Sequence, residues 1–267
     1  MKKYNKKNII RALKKVGLKK GQIIYVNPEI FKFGNLYEAN NKNQYFKIFF
    51  DSIYGIIGKT GTLAINTYTF KTLRYGKKFI HEKTKSTSGE LSEYVRKKKG
   101  ALRSNHPVFS VTSLGKYKKY LCSNNSQHNY GYNTPYQRFL ELDGKVLNLA
   151  MDPCLNPFLH VAEFFAGVPH YYNKFTKVNY YKNKKKINKY FSSHVRYLDL
   201  NFQTDLKELK KELKKNKIIR GANLGSSKIY LLDAKKYLNT ALKLLNKDQF
   251  IFTKKIPNFK KNRIPFK

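Results

Sequence analysis

His160 and Glu163 stand three residues apart in the stretch NPFLHVAE, residues 156–163. That spacing puts both side chains on one face of a helix. An imidazole beside a carboxylate is a proton acceptor whose ring is held in place by its neighbour. Asn156 can cap such a helix, Pro157 suits its first turn and Gly167 its end. Immediately upstream, residues 145–151 form an apolar run between Gly144 and Asp152-Pro153, which reads as a strand buried on both faces. A buried strand feeding a helix with a base near its start is a ligand-site layout, because open α/β sheets bind ligands beyond the carboxyl ends of their strands. The competing reading is a surface His–Glu pair on an ordinary helix. Cys154, six residues before His160, raises a third chemistry: a Cys–His acyl-enzyme.

Positioning that pair takes a sheet and helices on either side of it. Apolar positions at Ile9, Ile10, Leu13 and Val16 predict an amphipathic helix over 5–16, and Gln22 to Val26 a first strand. A second helix is expected over 43–57, and a strand over 61–67. The GKTGT between them is not a phosphate loop: the motif's leading glycine would fall on Ile53, and the segment runs from helix to strand, the reverse of the required order. Residues 69–87 read as an active-site loop or a solvated connection. Thr87-Ser88-Gly89-Glu90 is a capping box for a helix through Lys97, and residues 108–113 read as a strand. Thr134-Pro135 starts another helix. Further on, residues 170–200 are rich in Tyr, Lys and Asn, with a positive run that predicts solvated loops or hairpins. A charged helix over 204–216, paired strands at 217–221 and 227–232, a helix over 233–246 and a strand at 248–252 complete the chain, ahead of a basic tail. The alternation predicts an α/β fold: three layers, α/β/α, around a mostly parallel sheet, with a smaller mixed C-terminal portion. One domain is expected, its core over 1–170 and a subregion over 171–267.

The chain has 55 Lys and Arg against 16 Asp and Glu, a formal charge of +39. Such a surface attracts anions: nucleic acid, membrane phosphates or phosphorylated small molecules. A basic nucleic-acid-binding protein is the rival from another class, but the cations are spread through the whole chain and match no nucleic-acid module. Two cysteines, Cys122 and Cys154, make neither a disulfide framework nor a metal spacing. The basic N-terminus lacks an apolar leader core, and no uncharged apolar run is long enough to span a bilayer, so a cytoplasmic protein is expected.

Three segments in order resemble the aminoglycoside 3-N-acetyltransferase family, a fold distinct from the common GNAT acetyltransferases. They are SGELSEYVRKKKGALRSNHPVFSVTSLG at 88–115, NTPYQRFLELDGKVLNLA at 133–150 and NPFLHVAE at 156–163. The resemblance implies acetyl-CoA as donor, a primary amine on an amino sugar as acceptor, and direct transfer with His160 as general base and Glu163 orienting it. It makes Arg103, Ser104, His106 and Ser110 candidate contacts to coenzyme A, with a turn-stabilising role for the same RSxHP stretch as the alternative. Asn156 and Glu82 become candidate acceptor contacts. Two departures bear on the acceptor. The family's His-Ser-Ser after the first strand reads Asn27-Pro28-Glu29, and the loops where drug-modifying members carry acids offer only Glu82. A nucleotide-linked amino sugar of surface-polysaccharide biosynthesis is therefore the expected acceptor, with an aminoglycoside antibiotic as the alternative.

Overall fold

The computed structural model describes residues 2–259. Its largest sheet has seven strands in the order Ile219–Leu224, Ser227–Asp233, Lys145–Leu149, Ile23–Pro28, Thr62–Asn66, Val111–Gly115, Leu102–Arg103. The central strand shows why the sheet is covered on both sides. Ile24 and Val26 join one apolar cluster, with Leu13, Phe49 and Ile53 of the helices Lys6–Lys15 and Lys42–Ile57. Tyr25, between them in sequence, joins the other cluster, with Phe139, Phe158 and Tyr237 from helices on the opposite face. Alternation along the strand thus sends side chains into two cores, and the three-layer α/β/α expectation holds.

The sheet is mixed, however, and not mostly parallel. Only Ile23–Pro28 is parallel to its neighbours Thr62–Asn66 and Lys145–Leu149; the other four pairings are antiparallel. The reason lies in where connections begin and end. Val111 pairs with Asn66, so residues 67–110 leave and re-enter at the same end of the sheet, and the returning strand must run backwards. Farther on, Leu224 and Ser227 close a two-residue hairpin, which also enforces an antiparallel pair. The first of these excursions lies over the carboxyl end of Thr62–Asn66, beside the central strand's own carboxyl end.

Most predicted elements are present within a residue or two. Four details differ. The helix expected from Thr87 starts at Glu90 with no side-chain cap, because the Thr87 hydroxyl instead donates to the Tyr68 carbonyl at 3.0 Å, and the Ser88 hydroxyl accepts from the Tyr68 amide at 2.9 Å. The strand expected at 108–113 is displaced to Val111–Gly115 by the turn at His106-Pro107. Residues 248–252 make turns in place of a strand. The Lys-rich stretch does fold into a hairpin, Tyr180–Lys182 with Lys185–Ile187, yet the strands flanking it, Tyr171–Lys177 and Tyr190–Arg196, form an antiparallel ribbon. The basic tail beyond 259 lies outside the described residues. Among the described residues no helix is long and apolar enough to cross a membrane.

Candidate active site

The helix Pro157–Ala166 follows the predicted design. The Asn156 side chain accepts from the Phe158 amide at 3.0 Å, Pro157 occupies the first turn, and Gly167 adopts the left-handed conformation at the C-terminus with φ 61°. Phe158 is fully buried against Tyr25, Tyr136 and Phe139, with ring centroids 5.4–5.9 Å apart. This packing locks the helix to the central strand and sets the direction of the next turn, where His160 sits.

His160 Nδ1 lies 2.6 Å from Glu163 Oε2. The Glu163 side chain is 4% exposed and that of His160 44%. With the carboxylate as acceptor, Nδ1 carries the hydrogen, and Nε2 is the basic nitrogen on the half-open ring. Tyr171 adds its hydroxyl at 3.4 Å from Nδ1 and is stacked on His194, the rings 5.0 Å apart and 10° from parallel. Burial pushes His194 down to about 4, so at neutral pH it is an uncharged ring bracing Tyr171.

The pair opens into a cleft of about 810 Å³ bounded by the 67–110 excursion, the helix and the ribbon. Asn27, at the end of the central strand, lines it and donates from Nδ2 to the Leu155 carbonyl at 2.7 Å, bracing the loop before the helix. Asn66 lines it too. Its Oδ1 receives the hydroxyls of Tyr25 and Tyr136, the latter at 3.3 Å, and Tyr68 meets Tyr136 at 2.5 Å. These three phenols are held well above their ordinary range, chiefly by burial. With Oδ1 engaged, the Asn66 amide turns its two N–H donors elsewhere, and they meet no partner among the described residues.

Of the residues singled out in the sequence, His160, Glu163 and Asn156 come together at this cleft. Asn156 contributes wall and cap: its Nδ2 donates to the Pro153 carbonyl at 3.1 Å, so both ends of its amide are engaged in the turn. Arg103, Ser104, His106 and Ser110, the expected coenzyme contacts, are not among the residues lining this cleft. Arg103 is buried and donates to Ser110 Oγ at 2.8 Å and to the carbonyls of Thr67 and Thr84 at 2.7 Å, with its guanidinium over the Phe79 ring. Ser104 Oγ accepts from the Val111 amide at 2.9 Å. His106 accepts at Nδ1 from the amides of Val108 and Phe109 and donates from Nε2 to Ser192 O at 3.0 Å, pinning the turn to the ribbon. Burial pushes this imidazole down to about 4. The RSxHP stretch is thus the clamp that shapes the cleft wall. Glu82 is exposed, outside the lining, and accepts from the Asn183 amide at 3.0 Å.

Cys154 is fully buried and does not line the cleft. Burial, and then Asp152 beside it, pushes its thiol up to about 12, so almost no thiolate exists at neutral pH. Cys154→Ala is expected to keep turnover within about threefold, since it removes only a small buried side chain with no part in the chemistry. Steady-state kinetics beside an unfolding curve check this, and an inactive but folded variant would contradict it.

Sequence reasoning missed most of the other cleft residues. Tyr68 and Arg74 come from the excursion; Tyr171, Lys174, His194 and Arg196 come from the ribbon. The mixed aromatic and basic texture of 170–200 was the available signal, because a purely solvated hairpin has no need of so many rings.

A sequence model of the family described as aminoglycoside 3-N-acetyltransferase matches residues 38–246. No curated protein matches the chain. Solved structures with the same fold include sisomicin-bound AAC-VIa, at 16% identity and a TM-score of 0.77, covering 91% of this chain and 98% of that one. AAC-IIIb with CoASH is similar over 96% of this chain and 100% of its own, at 19% identity and TM-score 0.76. YokD from Bacillus subtilis aligns over 92% of this chain and 100% of its own, at 17% identity and TM-score 0.74.

Proposed function

The chain belongs to the aminoglycoside 3-N-acetyltransferase family, and from that premise we propose that it is an acetyl-CoA-dependent N-acetyltransferase acting on a primary amine of an amino sugar, with His160 as general base. The observation that carries the reading is the His160–Glu163 pair, half open to a cleft at the carboxyl ends of the central strands.

Acetyl-CoA, when bound, supplies an acetyl thioester. A protonated amine has no lone pair to attack it with, so a proton must leave first. His160 Nε2 takes that proton, and Glu163 holds the ring in the productive tautomer and steadies the imidazolium that forms. As the N–C bond forms and the C–S bond breaks, the same imidazolium returns its proton to the departing sulfur, and the second proton that the nitrogen sheds on becoming an amide leaves to solvent, so the products are the acetylated amine, the thiol and one released proton. Tyr171 and His194 fix the far side of the ring. The cleft's size and its aromatic walls, from Tyr68, Phe70 and Phe109, fit a long donor beside a sugar. A donor of this kind places the reaction in the cytoplasm.

Two acceptors suit this chemistry. The family description, and a structural neighbour that binds sisomicin, support an aminoglycoside. The second reading is an amino sugar linked to a nucleotide in surface-polysaccharide synthesis. The observation that favours it is the lining itself, which holds three cations and a single acid, Glu163, already engaged by His160. The test is a thiol-release assay with acetyl-CoA and a panel of amine acceptors, products read by mass. Acceptor-dependent thiol release with one acetyl group on the amine is expected; no release with any amine would defeat the proposal.

A further inference from the structure

Arg74, Lys174 and Arg196 line the cleft, and none has a carboxylate partner among the described residues. On a protein with so few acids, unpaired surface cations are common. What sets these apart is where they stand. Arg196 is directly across the ribbon from Tyr171, whose hydroxyl lies 3.4 Å from the His160 ring. Side chains on facing strand residues are neighbours, about 5 Å apart at their bases. Arg196 is therefore beside the tyrosine that contacts the base, and Lys174, which also lines the cleft, is three residues along the same ribbon strand from Tyr171. Arg74 stands on the short helix Phe70–Tyr75, in the excursion that forms another wall.

This placement separates the two molecules that the reaction brings together. The phosphates of coenzyme A lie at the far end of the pantetheine arm from the sulfur. The thioester must meet the amine at His160, so those phosphates are carried away from the base. Cations on the ribbon wall, whose Tyr171 reaches the base, are therefore assigned to the acceptor. Asn66 lines the same cleft, its Oδ1 taken up by the tyrosine hydroxyls and its two uncharged N–H donors unengaged among the described residues. Donors and cations without a free carboxylate suit an anion and repel a polycation.

We propose that the acceptor is an amino sugar carrying a phosphate or carboxylate group, held beside its reacting amine by Arg196 and Lys174 on one wall and Arg74 on another. This rests on the N-acetyltransferase reading and narrows it to one class of acceptor. Arg196 is the strongest single contributor, because its guanidinium can grip two anionic oxygens at once. Its approach over the Phe202 ring, 5.1 Å from guanidinium carbon to centroid, holds the side chain in place without neutralising it.

The experiment compares the wild type with Arg196→Gln, Lys174→Gln and the double variant. Acceptors are a nucleoside-diphosphate amino sugar, an amino-sugar phosphate, an amino uronic acid, an uncharged-backbone amino sugar and an aminoglycoside. Each single change is expected to raise KM for the anionic acceptors about two- to fivefold, and the double on the order of tenfold, the scale of partly exposed ion pairs. KM for acetyl-CoA should stay constant, and that for the aminoglycoside should stay or fall. The three anionic arms separate pyrophosphate, phosphate and carboxylate as the recognised group. If acetyl-CoA KM rises in place of acceptor KM, the cations serve the donor and the inference fails while the acetyltransferase reading stands. Preferred turnover of the aminoglycoside, unaffected by the variants, also overturns it. Calorimetric binding of the same acceptors to the protein gives an answer without turnover. Tight binding of an anionic amino sugar that the double variant abolishes would support the inference even if no acetyl transfer were seen; binding of the aminoglycoside alone would refute it.

Discussion

His160→Ala loses on the order of 10²–10⁴-fold in kcat while its unfolding midpoint and its affinity for coenzyme A stay near those of the wild type. The magnitude is that of a positioned proton acceptor. Retained stability follows from the side chain's exposure, 44%, and from its place on the cleft side of a helix whose anchor is Phe158. Glu163 is the cost to watch. Its side chain is 4% exposed and loses its 2.6 Å partner, so a carboxylate is left with less compensation. His160→Gln, which keeps a polar group in reach of Glu163, should show the same loss in turnover at wild-type stability. A His160→Ala enzyme of near-normal turnover would remove the imidazole from the mechanism.

Arg103→Met unfolds more readily by about 3 kcal/mol or more, and this is the second large effect. The buried guanidinium makes charge-assisted bonds to three backbone carbonyls and a serine hydroxyl; each such bond contributes about 1.5–3 kcal/mol, and the acceptors would be left dry. They belong to three separate stretches, around 67, 84 and 110, so losing Arg103 loosens the whole excursion over the strand ends. Turnover should fall with the folded fraction while acetyl-CoA KM changes little below the melting range. Denaturant titration and kinetics at low temperature separate the two. Unchanged stability with a raised acetyl-CoA KM would restore the coenzyme contact expected from the RSxHP stretch.

That contrast shows what a sequence can and cannot say here. Asn156, Pro157 and Gly167 determine a helix through local chemistry, and His160 with Glu163 share its face by spacing alone, so the central pair was legible. Arg103 was recognised as a residue with a purpose, yet its partners lie at 67, 84 and 110, and no local pattern says whether a guanidinium meets a phosphate or a carbonyl. Strand direction was misjudged for a related reason. Periodicity tells which faces of Val111–Gly115 are covered, but its direction depends on where a 44-residue excursion comes back. The ribbon was the larger loss. Its lysines read as solvent-facing, which most are, while Tyr171, His194 and Arg196 on the same strands form a wall of the cleft because distant residues hold the ribbon there: His106 ties Ser192 to the turn at 106–109, and Gln127 and Asn129 bond the same strand.

The central claim is that one imidazole moves the proton while the acetyl group passes straight from donor to amine. It is tested most directly by the mass of the intact protein after exposure to acetyl-CoA, first without and then with an acceptor amine, quenched in acid at short times. The account predicts a protein of unchanged mass at every time point in the absence of amine, and acetylated amine without a modified protein once acceptor is added. A protein that gains one acetyl group from acetyl-CoA alone, and passes it to the amine as fast as the enzyme turns over, would contradict direct transfer and make a side chain the carrier.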